Sequence, residues 1–241
     1  MFVNLRKSEG GLPAGAFLIA SAVAFLLATA SAPPLQAGLR RLQPGRFDLG
    51  GGQEGSTWYL AEGSSNWGFD TYVTVQNSHR EELTARMTFT VEGGGQSVLD
   101  IGLPPRSQTV VNPRPVIGSA DFSTTVRCLE GKSIAVDRRM IWLGPGAWKQ
   151  EGHSSVGVTA PRLTWYLPEG SSRWGFETWL LVLNPNSARA NCTITYMLEG
   201  KGPREFRVLL EADSRTTFNM AEDIGEEDAS IKVEADFPVI C

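Results

Sequence analysis

The chain has 241 residues, enough for one large domain or for two domains of about 100 residues each. Hydrophobic residues make up 41% and charged residues 20% of it, a composition that excludes an intrinsically disordered chain. The net charge is -4 and the sequence contains no lysine- and arginine-rich cluster, so we expect no nucleic acid as a partner.

The N-terminal residues have the pattern of a targeting segment. Arg6 and Lys7 precede an uncharged apolar run over 14–30, and small residues follow it. This order predicts a secretory signal peptide over 1–37, with a flexible leader over 38–56 after it. An uncleaved N-terminal membrane anchor is the alternative, because the run approaches the roughly 20 residues that span a bilayer. Both predict an exported protein, extracellular or on the cell surface, which touches the membrane only through this segment if it is uncleaved.

An internal repeat organises the rest of the chain. Placing Thr57 on Thr164 aligns the sequence with itself, and 26 of the following 71 positions are identical without a gap. A long ungapped match of this density indicates a duplication. We therefore define repeat 1 as residues 57–142 and repeat 2 as residues 164–241, joined by a glycine-rich connector over 143–163.

Within each repeat the hydrophobic residues alternate with polar ones. Ala85, Met87 and Phe89 fall on one face in repeat 1, as do Cys192 and Ile194 in repeat 2, which is typical of half-buried antiparallel strands. No segment beyond the signal has a helical period. The strands predicted for repeat 1 are 57–61, 70–76, 84–92, 96–103, 107–112, 122–128 and 133–142.

Seven short strands in about 100 residues predict an all-β fold with two tandem immunoglobulin-like β-sandwich domains; a small barrel is the alternative. Nothing in repeat 2 corresponds to residues 137–142, so the second domain is expected to lack its final strand and to expose a sheet edge. Two interpretations stay open. The sequence is a fragment of a longer reading frame, or another chain supplies the strand by β-strand addition.

The repeated motif resembles a known family. Residues 57–71 and 164–178 share the pattern Thr-Trp-Tyr-Leu-x-Glu-Gly-Ser-Ser, and residues 152–161 precede the second copy with a run rich in glycine and serine. These features are similar to the tandem Trp-Tyr-Leu-Ala-Glu-Gly-Ser repeats of secreted and surface proteins of actinobacteria and related lineages. The resemblance covers 57–241. It implies a surface or extracellular location and no particular chemistry.

The sequence contains no recognisable catalytic or metal-binding pattern. His79 lies in a turn and His153 in the connector, without neighbouring ligands at metal-site spacing. Cys128, Cys192 and Cys241 align with apolar residues of the other repeat, which predicts small buried side chains; a Cys192–Cys241 disulfide is the less favoured alternative. We expect no catalytic residues, no metal and no cofactor, and we predict that the protein is not an enzyme.

Aromatic residues concentrate in one loop of each repeat. They could pack over the end of the sandwich, contact another protein, or stack on sugar rings. Glu62 and Gly63, with their counterparts Glu169 and Gly170, are predicted to be structural, the carboxylates accepting hydrogen bonds from amides of their own loop. The candidate binding residues are Trp58, Trp67, Phe69, Trp165, Trp174 and Phe176.

These features predict an exported, non-enzymatic structural or adhesive surface module that acts through protein–protein contacts. Its expected partners are other surface proteins or further copies of itself, bound through the open sheet edge. The alternative is a carbohydrate-binding module in which the aromatic loops hold a polysaccharide.

Overall fold

The computed structural model describes residues 3–5, 55–143 and 149–241. Most of the predicted signal peptide (1–37) and of the predicted leader (38–56) lies outside these ranges, as does part of the connector. The described residues belong to one compact unit. None of the helices that they form has the length and apolar character needed to cross a membrane.

The N-terminal strand and repeat 1 form the first set of elements. Every strand pair is antiparallel. In chain order the elements are β1 (Val3–Leu5), β2 (Thr57–Leu60), β3 (Phe69–Asn77), β4 (Leu83–Val91), β5 (Gln96–Leu103), β6 (Ser107–Val111), α1 (Arg114–Ile117), β7 (Phe122–Cys128), β8 (Ala135–Trp142) and β9 (Glu151–Val156). Repeat 1 has one sheet in the order β2-β7-β4-β5 and a second in the order β6-β3-β8-β9.

Repeat 2 follows the same plan. Its elements are β10 (Arg162–Leu167), β11 (Phe176–Asn184), β12 (Ala190–Leu198), β13 (Gly202–Leu210), β14 (Ser214–Asn219), α2 (Met220–Ile224) and β15 (Ala229–Val239). One sheet has the order β10-β15-β12-β13 and the other the order β1-β11-β14. The N-terminal strand β1 therefore lies beside β11, at the position that β8 takes beside β3 in repeat 1.

The all-β prediction is confirmed, and in each repeat two antiparallel sheets pack in the manner of a sandwich. Buried apolar residues form two clusters, one within 58–136 and the other within 180–239. Ala85, Met87 and Phe89 are buried as their alternation predicts. Burying such side chains contributes about 1.5–3 kcal/mol for each large one.

Two expectations about secondary structure are wrong. Short helices are present where none was predicted: α1 begins after Pro113, and α2 is capped by Asn219, whose side chain accepts a hydrogen bond from the amide of Ala221. Both end at a glycine with positive φ, Gly118 and Gly225. In addition, part of the predicted connector forms β9, which pairs with β8 and extends the second sheet of repeat 1.

Equivalent hydrogen bonds tie together corresponding parts of the two repeats. The indole Nε1 of Trp58 donates to the carbonyl of Ile134 at 2.7 Å, and Nε1 of Trp165 donates to the carbonyl of Val239 at 2.8 Å. The correspondence spans a two-residue deletion in repeat 2. It places Ile240, which exchanges two backbone hydrogen bonds with Leu183, at the position where β8 begins.

Candidate functional site

The repeated aromatic loop is held by its own serine and threonine side chains. The amide of Ser64 donates to Oγ1 of Thr71 at 3.0 Å, and that hydroxyl donates to the carbonyl of Ser64. Ser171 and Thr178 form the same pair in repeat 2. Because these bonds, and others from the loop backbone to Ala120 and Phe122, satisfy its polar groups, the protein itself holds the loop in this shape.

The loop presents one tryptophan to solvent in each repeat. Trp67 and Trp174 have positive φ angles of 56° and 54° and are 72% and 77% exposed. Each is followed by a glycine that also has positive φ. Left-handed backbone at a bulky residue is uncommon and persists where the surrounding structure enforces it. The two rings are therefore large apolar surfaces displayed on a rigid loop.

Two of the candidate binding residues have a structural role. Trp58 is only 2% exposed, and its indole donates to the carbonyls of both Gly55 and Ile134. Trp165 is half-buried and bonds the carbonyl of Val239. The prediction that Trp58 stacks on a ligand is wrong, because its ring lies inside the sandwich.

Glu62 does not play the part predicted for it. Its carboxylate forms an ion pair with the guanidinium of Arg138, which projects from β8 and is 2% exposed. No bond from the loop amides to Glu62 is found in the described part of the chain; the amide of Ser65, for example, donates to the carbonyl of Ala120. Glu169, the counterpart of Glu62, is exposed and forms no ion pair with any described residue.

Gly63 is structural for a packing reason. A Cβ atom at this position would lie 2.7 Å from the ring of Phe122, closer than two carbon atoms can approach. The carbonyl of Gly63 accepts a hydrogen bond from the amide of Phe122, and the carbonyl of Gly170 accepts one from Ala229, the counterpart of Phe122. The glycine lets the loop lie directly on the first residue of β7.

A second ion pair joins the two repeats. Glu92, in the turn between β4 and β5, pairs with Arg215 of β14. It also accepts hydrogen bonds at 2.8 Å from the amide and the hydroxyl of Thr217. The side chain of Arg215 is 3% exposed, and its Nε has no hydrogen-bond partner among the described residues. Charged hydrogen bonds of this kind fix geometry as well as contributing energy.

A cavity of about 750 Å³ lies between the repeats, within the range typical of ligand pockets. Both ion pairs line it, as do the exposed Trp67 and, from repeat 2, residues of strand β11. Phe69 and Trp142, whose ring centroids are 5.3 Å apart, form an aromatic part of its wall. Further residues of repeat 2 that line it are Trp179, Leu180, Leu181 and Cys241.

A second cavity of about 450 Å³ lies at the corresponding loop of repeat 2. Trp174, Phe176, Glu169 and Gly170 line it. The predicted site residues are thus divided between two cavities, while Trp58 and Trp165 line neither.

Burial changes the pKa of two side chains, His153 at the first cavity and Cys192 in the core of repeat 2. Burial lowers the pKa of His153, which lies beside Arg138, and raises the pKa of Cys192 to about 11. All three cysteines are free thiols in this structure, so the Cys192–Cys241 bridge is not formed. Within the described ranges no group of histidine, cysteine and carboxylate side chains is arranged to hold a metal ion.

Sequence reasoning missed the residues that hold the site together. Arg138 and Arg215 lie in strands, and the sequence pattern does not distinguish an arginine that points into the sandwich from one that points into solvent. Glu92 lies in a turn. Thr71 was within reach of prediction, because Ser64 and Thr71 have identical counterparts, Ser171 and Thr178, in repeat 2.

Comparisons with known proteins add little to this geometry. No family model and no curated protein matches the chain. Among solved structures, the crystal structure of Thermotoga maritima 1070 matches with a TM-score of 0.38 and 13% sequence identity, over 43% of this chain and 92% of that one.

Proposed function

We propose that this chain is an exported, non-enzymatic structural or adhesive module of the cell surface that acts through protein–protein contacts. The observation that carries the proposal is the display of Trp67 and Trp174 on internally braced loops. Exposed tryptophans on a rigid frame are typical centres of protein interfaces, because a large ring is buried at small entropic cost. The junction built by Glu92 and Arg215 also supports it, since a fixed angle between repeats suits a spacer.

The second candidate function is carbohydrate binding. The exposed rings of Trp67 and Trp174 and the aromatic wall formed by Phe69 and Trp142 favour it. Sugar rings stack on such faces, and the ion pairs lining the first cavity would offer hydrogen bonds to hydroxyl groups. The two functions differ in what binds to the same tryptophans.

The test compares the complete chain with the double variant Trp67→Ala/Trp174→Ala. Both are produced in a bacterial host with the N-terminal segment intact, and surface retention is measured by fractionation and by protease access on whole cells. We expect the wild type on the surface and the double variant released. Tyr166→Ala, at another exposed aromatic residue, is the matched control. Equal retention of all three would contradict the proposal.

Co-sedimentation with insoluble polysaccharides separates the two functions. Binding of the purified wild type to a polysaccharide, lost in the double variant and retained in Tyr166→Ala, would replace protein contact by carbohydrate binding. Circular dichroism spectra of all variants establish that they are folded.

A further inference from the structure

Glu92 of repeat 1 holds an arginine that a strand of repeat 2 supplies. Its carboxylate forms an ion pair with the guanidinium of Arg215. It also accepts hydrogen bonds at 2.8 Å from the amide and the hydroxyl of Thr217. Arg215 and Thr217 lie two residues apart in the extended strand β14, so their side chains leave the same face of that strand. One carboxylate therefore receives both an arginine and a threonine from a single strand.

Two further carboxylates lie around this arginine. Burial lowers the pKa of Arg215, whose side chain is only 3% exposed. The negative charge of Glu92, and after it the charges of Asp121 and Glu62, act against that shift. A buried cation is tolerated where neighbouring charges replace the water that it has lost. In repeat 1 this group of carboxylates, beside the loop that carries Trp67, is thus a site that holds a guanidinium group.

The cavity of about 450 Å³ in repeat 2 is built from the same residues. Of the eleven described residues that line it, eight are identical with their counterparts in repeat 1. Over the whole aligned length 26 of 71 positions are identical, so the likeness is greater around the cavity than elsewhere. The eight include all three carboxylates: Glu199, Asp228 and Glu169, the counterparts of Glu92, Asp121 and Glu62.

The carboxylates of this second site differ from those of the first in their exposure and partners. Glu199 and Glu169 are exposed, and neither forms an ion pair with a residue in the described ranges. Asp228 lies 3.5 Å from Arg173, which belongs to the loop itself. Arg173 therefore offsets one of the three negative charges, and the other two face the solvent at the cavity.

The shape of the cation that suits such a site is that of a guanidinium. Its planar group carries five N–H donors, so it can serve more than one carboxylate at a time, whereas an ammonium is compact and more strongly hydrated. The exposed ring of Trp174 also lines the cavity. The guanidinium of Arg173 lies 5.6 Å from the centre of that ring, a distance at which an aromatic face attracts such a cation.

We propose that the cavity of repeat 2 is a binding site for a guanidinium group, which pairs with Glu199 as Arg215 pairs with Glu92. Acidic residues alone would not identify a ligand, but the identical residues of repeat 1 hold one of this chemistry. The ligand is defined by its guanidinium, whether a small molecule or the arginine of an extended peptide carries it. The inference deepens the proposed function, on which it rests, by giving the loop that displays Trp174 a ligand of defined chemistry.

The test measures binding of two probes to the full chain. One is a labelled peptide, Ser-Arg-Thr-Thr-Phe-Asn, with the sequence of residues 214–219, followed by fluorescence anisotropy. The other is N-acetyl-arginine amide, added as a competitor of the peptide. We expect saturable binding of the peptide, about tenfold weaker for Glu199→Gln, because a hydrogen bond to a charged group is lost.

Glu226→Gln is the matched control variant. It removes the same charge from another exposed glutamate of repeat 2 that does not line the cavity, so peptide binding should stay as it is in the wild type. Circular dichroism establishes that both variants are folded. An equal loss in both would show a general attraction between opposite charges and would count against a site.

Substituted peptides test the chemistry of the ligand. Replacing the arginine by lysine keeps the charge but removes the planar set of donors, so this peptide should bind about fivefold more weakly. Replacing the threonine that corresponds to Thr217 by valine removes the hydroxyl donor and should also weaken binding about fivefold. Competition by N-acetyl-arginine amide shows that the guanidinium is sufficient, and its failure to compete shows that the extended peptide is needed as well.

The proposal is overturned if neither probe binds the full chain, if Glu199→Gln binds the peptide as tightly as the wild type, or if the lysine peptide binds as tightly as the arginine peptide. Because the assay uses purified protein, failure here leaves surface retention through Trp67 and Trp174 untouched. Conversely, a wild-type chain that is not retained on cells contradicts the proposed function and leaves guanidinium binding to be judged by itself.

Discussion

Arg215 of repeat 2 forms its ion pair with Glu92 of repeat 1, and the arginine side chain is almost completely buried at this junction. Its charge is therefore compensated by a residue that belongs to the other repeat. Neither repeat alone contains both partners, so the stability of the second sheet of repeat 2 depends on the presence of repeat 1.

Glu92→Gln should destabilise the protein by about 2 kcal/mol, because it leaves the buried Arg215 without a counter-charge; the cost stays below that of a fully buried pair since Glu92 is partly exposed. Urea denaturation followed by circular dichroism measures it. The matched control is Glu199→Gln at the corresponding, exposed turn of repeat 2, for which we expect a change of less than about 0.5 kcal/mol. Equal losses would show that the junction adds no stability.

The two tryptophans of one motif should respond in opposite ways. Trp58→Ala is expected to cost about 3–5 kcal/mol, because it leaves a cavity in the core and removes the indole donor to Ile134. Trp67→Ala should change stability by less than about 0.5 kcal/mol, because its ring is exposed. Chemical denaturation of both variants measures the difference. A large loss for Trp67→Ala would mean that the loop ring supports the fold.

Gly63→Ala should destabilise repeat 1, because the added methyl group would overlap the ring of Phe122 and force the loop off β7. Overpacking of this kind typically costs about 1–3 kcal/mol. Gly170→Ala is the matched substitution in repeat 2, where Ala229 replaces the ring, and it should cost less. Thermal denaturation of the two variants gives the order, and a reversed order would contradict the packing argument.

Tyr196 should make stability sensitive to alkaline pH. Burial, and after it the nearby Asp223 carboxylate, raises the pKa of Tyr196 above its ordinary value. A group whose pKa is higher in the folded state stabilises fully below its unfolded pKa, and that contribution is lost as the pH rises above about 10. The stability advantage of the wild type over Tyr196→Phe should therefore shrink between about pH 9 and about pH 11.

The measurement is the urea midpoint of both proteins across this range. Other tyrosines and lysines titrate there as well, so the difference between wild type and variant, rather than either midpoint, tests the prediction. A difference that stays constant with pH would contradict it.

Local patterns were enough to predict strands β2 to β8, but not β9 and not the charged contacts. Ala85, Met87 and Phe89 could be assigned to one buried face because a period of two is a property of the extended chain itself. The short helices α1 and α2 were not predicted, because four or five residues form little more than one turn and show no helical period in the sequence. The pairing of Glu62 with Arg138 could not be foreseen, since it depends on how two strands distant in sequence meet.

The aromatic motif shows the same division. Its composition predicts a binding role for Trp58 and Trp67 alike, yet Trp58 lies in the core and Trp67 in solvent. Alternation along β2 indicates that neighbours in the strand face opposite sides. It does not indicate which ring of the following loop is exposed, because that depends on the left-handed turn at Trp67.

The hydrogen bonds of Trp58 and Trp165 have a consequence for how such repeats can diverge. Each indole recognises a main-chain carbonyl, that of Ile134 or Val239, and not a side chain. A hydrogen bond between an indole and a backbone carbonyl does not depend on the side chain of the residue that carries the carbonyl. It also forms when the preceding loop is shorter, provided that the carbonyl lies in the same place. The surface residues of such a repeat can therefore change, and with them its binding partners, while the hydrogen bond that closes each sandwich is kept.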